Sequence, residues 1–107
     1  MRALSYLSWM VLFAAACGSR SEREIQKEFE AYVAERNECS IDDDCVLAAS
    51  SCPLGCHAAV NRAHQTEVEA KARELVAEYE SGGRSCDYGC VAAVATCSEG
   101  RCQAVVQ

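Results

Sequence analysis

The most constraining feature of this sequence is its cysteine pattern. Nine cysteines occur in 107 residues, and four of them fall between residues 39 and 56. That share is close to the one expected of disulfide scaffolds. Each bridge would contribute about 2 to 4 kcal/mol, which is comparable with the whole stability expected of a domain this small. Eight cysteines are therefore predicted to form four disulfides: Cys39, Cys45, Cys52, Cys56, Cys86, Cys90, Cys97 and Cys102.

The first sixteen residues have the pattern of a secretory signal. Arg2 precedes an apolar run from Leu4 to Phe13, and three alanines follow. A basic start, an apolar segment of about ten to thirteen residues and a small-residue end are typical of signal peptides, whereas a spanning helix needs roughly 20 residues. Residues 1–16 are predicted to be removed, and the mature chain is predicted to be exported to a compartment that permits disulfides.

Cys17 directly follows the small residues, and this stretch resembles the lipobox of bacterial lipoproteins. The resemblance covers residues 1–17, and Ala14 stands where that family usually has Leu. It implies that Cys17 becomes the N-terminal residue and carries a diacylglyceryl group and an amide-linked acyl chain, which together give stable anchoring. Gly18 implies, by the family's sorting pattern, the outer membrane or the cell surface.

Ordinary signal-peptidase cleavage after Ala16 is the alternative, because Ala14 and Ala16 also satisfy that enzyme's pattern. The odd number of cysteines favours lipidation, because a lipid on Cys17 uses the ninth cysteine and leaves eight for disulfides. Residues 17–20 are accordingly predicted to be the lipidated cysteine and a short tether, with a reach on the order of 10 to 14 Å. Residues 21–107 are predicted to form one disulfide-stapled globular domain.

Helical periodicity predicts two amphipathic helices in this domain. Ser21 and Glu24 form a capping-box pattern, and apolar residues recur at helical spacing over residues 21–37. A second helix is predicted to run from about Asn61 to Ser81, where two glycines end it. Residues 57–60 fit either the first turn of this helix or a brief strand.

The remaining apolar runs predict strands. Val46–Ala49 is a short strand, and the runs Val91–Cys97 and Cys102–Val106 form a C-terminal β-hairpin around residues 98–101. The fold class is therefore α+β, a small disulfide-rich domain with two amphipathic helices packed on a sheet of about three strands.

The length of the second helix leads to an expectation about disulfide pairing. A helix of about 20 residues is roughly 30 Å long, so cysteines at its two ends cannot be neighbours. If the hairpin returns along the helix, the cysteines divide into two groups, and bridges form only within a group. The first group is Cys52, Cys56, Cys97 and Cys102, and the second is Cys39, Cys45, Cys86 and Cys90.

Cys52, Cys56 and His57 invite other interpretations. Haem attachment and thiol redox motifs normally place two residues between the cysteines, whereas this chain places three. Zinc binding by the pairs 52/56 and 86/90 competes with disulfides, which are the default in an exported chain. We expect no enzyme, no cofactor and no metal, with thiol redox or metal handling at Cys52, Cys56 and His57 as an alternative.

The three aspartates Asp42–Asp44 are a further candidate site. Calcium loops place oxygen ligands on alternate residues and add ligands downstream, whereas consecutive aspartates point in different directions. We predict a turn in which these carboxylates accept backbone N–H groups.

The spacing Cys-x5-Cys-x6-Cys-x3-Cys over residues 39–56, with acidic residues ahead of Cys45, resembles part of the whey-acidic-protein four-disulfide core. This resemblance implies protease inhibition. Independently, the loop Ser50–Gly55 is predicted to be held rigid between bridges, and a rigid exposed loop would bind a protease with little ordering cost. The resemblance is confined to residues 39–56 and lacks that family's adjacent cysteine pair. An inhibitor of exported proteases or other hydrolases is therefore an alternative function.

The charge balance bears on the choice of partners. The formal net charge is −6, so nucleic acid is not an expected partner, and no small-molecule substrate is evident. We expect a non-catalytic cell-envelope lipoprotein that acts as an interaction or structural module. Its expected partners are the membrane, through the lipid on Cys17, and a protein at the envelope.

Overall fold

The structure is a computed structural model that describes residues 20–87 and 89–107. The predicted signal peptide, Cys17 and most of the tether lie outside the described residues. In order, the elements are α1 (Glu22–Ala34), β1 (Cys45–Ala49), β2 (His57–Asn61), α2 (Gln65–Ser81), β3 (Ala93–Ser98) and β4 (Arg101–Val106). The α+β class is confirmed, although the strands form two antiparallel two-stranded sheets and not one sheet.

Helix α1 begins where the capping pattern predicts. The Oγ atom of Ser21 accepts a hydrogen bond from the backbone N–H of Glu24 at 3.2 Å. The helix ends at Ala34, three residues before the predicted end. Its buried side chains, Ile25 and Phe29, contribute to a core shared with α2 and the first sheet.

The first sheet pairs β1 with β2, so that Cys45 lies opposite Asn61 and Ala49 lies opposite His57. Residues 57–60, which sequence left open between helix and strand, are therefore a strand. Asn61 then acts as an N-cap, because its side chain accepts from the backbone N–H of Ala63 at 2.9 Å. This cap begins a short 3-10 turn that leads into α2.

Helix α2 supplies much of the main core. Its buried residues recur at helical spacing and are Val68, Ala72, Leu75 and Tyr79. They contact the buried residues of α1 and of the first sheet. The two helices therefore cover one face of the β1–β2 sheet.

The β3–β4 hairpin covers the other face of that sheet. Glu99 and Gly100 both have positive φ, at 52° and 79°, and form a two-residue turn whose twist matches the flanking strands. A second cluster of buried residues joins the two sheets through Cys45, Ala59 and Cys102. The domain thus has three layers: two helices, the β1–β2 sheet and the hairpin.

All eight predicted cysteines form disulfides. The pairs are Cys39–Cys97, Cys45–Cys102, Cys52–Cys86 and Cys56–Cys90. Every bridge joins a cysteine of the first predicted group to a cysteine of the second, so the predicted grouping is wrong. Four disulfides indicate an oxidising, extracellular-type environment.

The grouping fails because the chain reverses direction before α2 begins. Strand β2 runs away from Cys56 for five residues, or about 16 Å, and α2 then runs back. The end of the helix therefore returns to the loop of residues 50–56, and Cys86 lies next to Cys52. At the opposite end of the domain, the hairpin likewise places Cys97 next to Cys39.

Two ends of the domain can now be defined. The entry pole holds Arg20, the loop of residues 50–56, the end of α2, and residues 84–87 and 89–92. The turn pole holds residues 35–44, the start of α2 and the β3–β4 turn. Helix α1 runs from the entry pole to the turn pole, because Gln26 near its start donates to Pro53 O and Arg101 donates to Ala34 O at its end. Helix α2 packs against α1 and runs in the opposite direction. In the part of the chain that the structure describes, no helix is long and apolar enough to cross a membrane.

Candidate functional site

Arg20, three residues after Cys17, pairs with two carboxylates at the entry pole. Its Nη1 atom contacts Glu28 Oε1 at 2.5 Å, and its Nη2 atom contacts Glu78 Oε2 at 2.5 Å. The Nε atom donates a further bond to Glu78 at 3.2 Å, which makes the contact with that carboxylate bidentate. Arg84 Nη2 also donates to the backbone carbonyl of Arg20 at 2.9 Å. We call these contacts the Arg20 clamp.

A second cation extends the clamp between the two helices. Lys71 Nζ contacts Glu28 Oε2 at 2.7 Å and Glu74 Oε2 at 3.0 Å. Hydrogen bonds from Lys71 and then Arg20 hold the pKa of Glu28 below its usual range. Bonds to Glu28 and Glu74 raise the pKa of Lys71. Glu28 therefore stays ionised and joins the first residues of the domain to α2.

The loop of residues 50–56 is folded inward. Pro53 is buried, its carbonyl accepts from Gln26 Nε2 at 2.9 Å, and Leu54 is half-buried against the main core. Ser50 Oγ donates to Gly55 O at 2.5 Å across the loop. A segment that inserts into a protease cleft must expose its side chains, so this geometry gives no support to the inhibitor alternative.

The sulfurs of Cys52 and Cys56 lie in two different disulfides. Since thiolates are the nucleophiles and metal ligands of cysteine chemistry, neither sulfur can act as a nucleophile or as a zinc ligand while it is in a disulfide. His57 lies in β2 and not in a helix. Its Nε2 atom is buried and has no hydrogen-bond partner among the described residues.

Three other sulfurs, those of Cys39, Cys45 and Cys97, lie within 4.8 Å of one another. This proximity has a structural origin, because the Cys39–Cys97 and Cys45–Cys102 bridges are neighbours at the turn pole. Disulfide sulfurs are not thiolates, so the cluster does not have the donor set of a metal site.

The aspartates of residues 42–44 form the predicted turn. Asp44 Oδ2 accepts from the backbone N–H groups of Ser40 and Ile41 at 2.8 and 3.2 Å. Asp42 Oδ1 accepts from the backbone N–H of Cys97 at 2.7 Å. The bonds from Ser40 and Ile41 hold the pKa of Asp44 below its usual range. These carboxylates are therefore structural acceptors, as predicted.

A shallow groove of about 320 Å³ separates the end of β1 from α2. Its floor is made of small apolar residues, and Arg73 and Glu80 stand at its rim. The described lining residues contain no set of titratable groups that could move a proton or hold a ligand anion in concert. The residues that line the groove therefore do not indicate a particular reaction.

The most unusual surface is the open end of the hairpin, which the sequence predicted as a hairpin but not as an exposed apolar surface. Its exposed side chains are Val91, Val94, Val105 and Val106, with exposed fractions of 63%, 39%, 45% and 64%. The sequence does carry a signal of this exposed surface. Apolar residues occupy both alternating sets of positions in the hairpin, so both faces of its two strands are apolar. We call these four residues the valine end.

Comparison with known proteins finds no family model, curated protein or solved structure that matches this chain. The class of protein that the fold defines is therefore a small α+β domain stapled by four disulfides.

Proposed function

We propose that this protein is a non-catalytic lipoprotein of the cell envelope, anchored through Cys17, whose domain acts as an interaction or structural module held against the membrane. The Arg20 clamp carries this proposal. The clamp holds the domain three residues after the cysteine of the lipobox-like sequence. The four disulfides, which form in oxidising compartments, support the exported location.

The clamp also determines how closely a lipid on Cys17 would hold the domain. Consecutive Cα atoms are 3.8 Å apart, so the Cα atoms of Cys17 and Arg20 are separated by at most about 11 Å. A tether of this length keeps the domain at the bilayer surface. The entry pole therefore faces the lipid, and the turn pole faces away from it.

Mass spectrometry of the mature protein from its native membrane tests the anchor. We expect an N-terminal Cys17 that carries a diacylglyceryl group and an amide-linked acyl chain. The matched variant Cys17→Ser is expected to leave the membrane fraction, because a serine cannot form the thioether. An unmodified N-terminus, or one at any other residue, would contradict the proposal.

A further inference from the structure

We propose that the valine end is a second membrane contact, which inserts into the lipid interface beside the acyl anchor. This inference rests on the proposed function, because the anchor brings the entry pole to the bilayer. The inference concerns a surface of the folded domain. It can therefore fail while the anchor itself is correct.

The valine end is apolar on both faces of the hairpin. Val94 and Val105 are paired and share the outer face, while Ala93 and Val106 are paired on the face that turns toward the first sheet. Val106 is nevertheless 64% exposed, so the first sheet does not cover this end of the hairpin. A protein partner would cover one face, whereas a bilayer surrounds an inserted end on all sides.

Disulfides place the valine end at the entry pole. Val91 follows Cys90 directly, and the Cα atoms of Cys90 and Cys56 are 5.7 Å apart. The hydrogen bond from Gln107 N to Ala92 O, at 3.1 Å, holds the end of β4 beside this point. The valines are therefore next to the loop of residues 50–56.

Arg20 reaches the same pole by a separate route. The Cα atoms of Cys52 and Cys86 are 5.7 Å apart, and Arg84 precedes Cys86 by two residues. Arg84 donates to the carbonyl of Arg20 at 2.9 Å. Since at most about 11 Å separates Cys17 from Arg20, the anchor and the valine end approach the bilayer from the same side.

The distribution of charge agrees with this orientation. The entry pole mixes carboxylates with arginines, among them Arg20 and Arg84. The turn pole is more strongly acidic, with seven carboxylates against three arginines. The carboxylates are Glu35, Glu38, Asp42, Asp43, Asp44, Glu67 and Glu99, and the arginines are Arg36, Arg62 and Arg101. Anionic lipid attracts basic groups and repels acidic ones, so it would keep the turn pole in water.

Tryptophan fluorescence with brominated lipid tests the insertion. The only tryptophan, Trp9, lies in the predicted signal peptide, so a single introduced tryptophan reports without background in the mature chain. The mature variant Val106→Trp, purified from its native membrane, is reconstituted into phosphatidylcholine vesicles with and without brominated acyl chains. We expect a shift of its emission to shorter wavelength and a several-fold loss of emission with the brominated lipid.

Ile41→Trp is the matched control, because Ile41 is an equally apolar side chain, 59% exposed, at the turn pole. Its emission is expected to stay that of a water-exposed indole and to be quenched little. Val91→Trp is a second reporter at the valine end should Val106→Trp fail to fold, and it is expected to be quenched as strongly.

The outcomes separate the two proposals. Variants that do not float with the vesicles contradict the lipid anchor on Cys17, and this inference then fails with it. Floating protein in which the Val106 and Ile41 reporters are quenched alike, or not at all, overturns the inference alone. A shift to shorter wavelength without bromine quenching means that protein covers the valine end, either a second copy or another partner, and it also overturns the inference.

Discussion

The three consecutive aspartates show how adjacent identical residues acquire different roles. Asp42 bonds the backbone of the distant strand β3, and Asp44 bonds the two residues that precede the turn. The backbone carbonyl of Asp43 accepts from Arg62 at 3.1 Å. The sequence predicted the turn from residue type, but the long-range bond to β3 depends on where the hairpin lies.

The depressed pKa of Asp44 leads to a prediction about acid stability. A folded pKa below the unfolded value of 3.8 means that the ionised carboxylate stabilises the fold above that value. This contribution is lost as the pH falls through the folded pKa. We expect Asp44→Asn to lower the free energy of unfolding at pH 7. We also expect the free energy of unfolding of this variant to decrease less than that of the parent protein when the pH is lowered from neutral to below 3.8. Urea unfolding at several pH values measures both effects.

Asp43→Asn is the matched control, because it removes an exposed carboxylate from the same turn and leaves the backbone bond to Arg62 in place. It is expected to keep the acid dependence of the parent protein. Equal pH profiles for Asp44→Asn and the parent would refute a structural role for the Asp44 carboxylate.

Among the elements, the hairpin has the clearest local determinant. A two-residue turn with both central residues at positive φ matches strand twist, and Asn-Gly is the preferred pair for it. This chain has Glu99 at the first position, with φ of 52°, and Gly100 at the second, with φ of 79°. The sequence placed the hairpin correctly but treated residues 98–101 as a four-residue connection, whereas Ser98 and Arg101 are paired.

We therefore expect Glu99→Asn to stabilise the protein. A left-handed conformation costs an ordinary L-residue roughly 1–2 kcal/mol, and asparagine adopts it more readily, so a gain of up to about 1 kcal/mol in the free energy of unfolding is expected. Urea unfolding at neutral pH measures this gain.

Gly100→Ala is the paired test of the same backbone requirement. A Cβ atom at residue 100 would approach no atom closer than Cys39 O at 4.0 Å, so any loss of stability comes from its positive φ and not from a clash. We expect a clear loss. A destabilised Glu99→Asn or an unaffected Gly100→Ala would contradict the assigned turn.

For the whole molecule, the disulfides connect the three layers at both poles. Two bridges span 57 and 58 residues and two span 34, so each closes a long loop and is expected to contribute about 2–4 kcal/mol. Their surroundings differ between the poles. Cys45 and Cys102 are both 5% exposed, whereas Cys86 and Cys90 at the entry pole are exposed.

This difference predicts the order in which the bridges are reduced. Thiol–disulfide exchange requires the attacking thiolate to reach a sulfur. We expect mild reductant under native conditions to open Cys52–Cys86 and Cys56–Cys90 before Cys45–Cys102, measured by timed alkylation and peptide mapping. Reduction in 6 M urea serves as the control, because unfolding should remove the order; reduction of Cys45–Cys102 first in native protein would contradict the arrangement.

Much of this molecule is determined by local sequence. The cap at Ser21, the end of α2 at Ser81 and the hairpin follow from short patterns, because capping, helix termination and tight turns depend on neighbouring residues. The number of cysteines likewise predicts four bridges without saying which residues pair.

The pairing was decided only by tertiary structure. Residues 57–60 are compatible with a helical turn or a strand, and the choice depends on whether β1 is available as a partner. Because the strand forms, α2 runs back toward Cys52, and every bridge joins a cysteine of one predicted group to a cysteine of the other. The exposure of the valine end was also decided by tertiary structure, since an apolar strand residue is buried only where another part of the fold covers it.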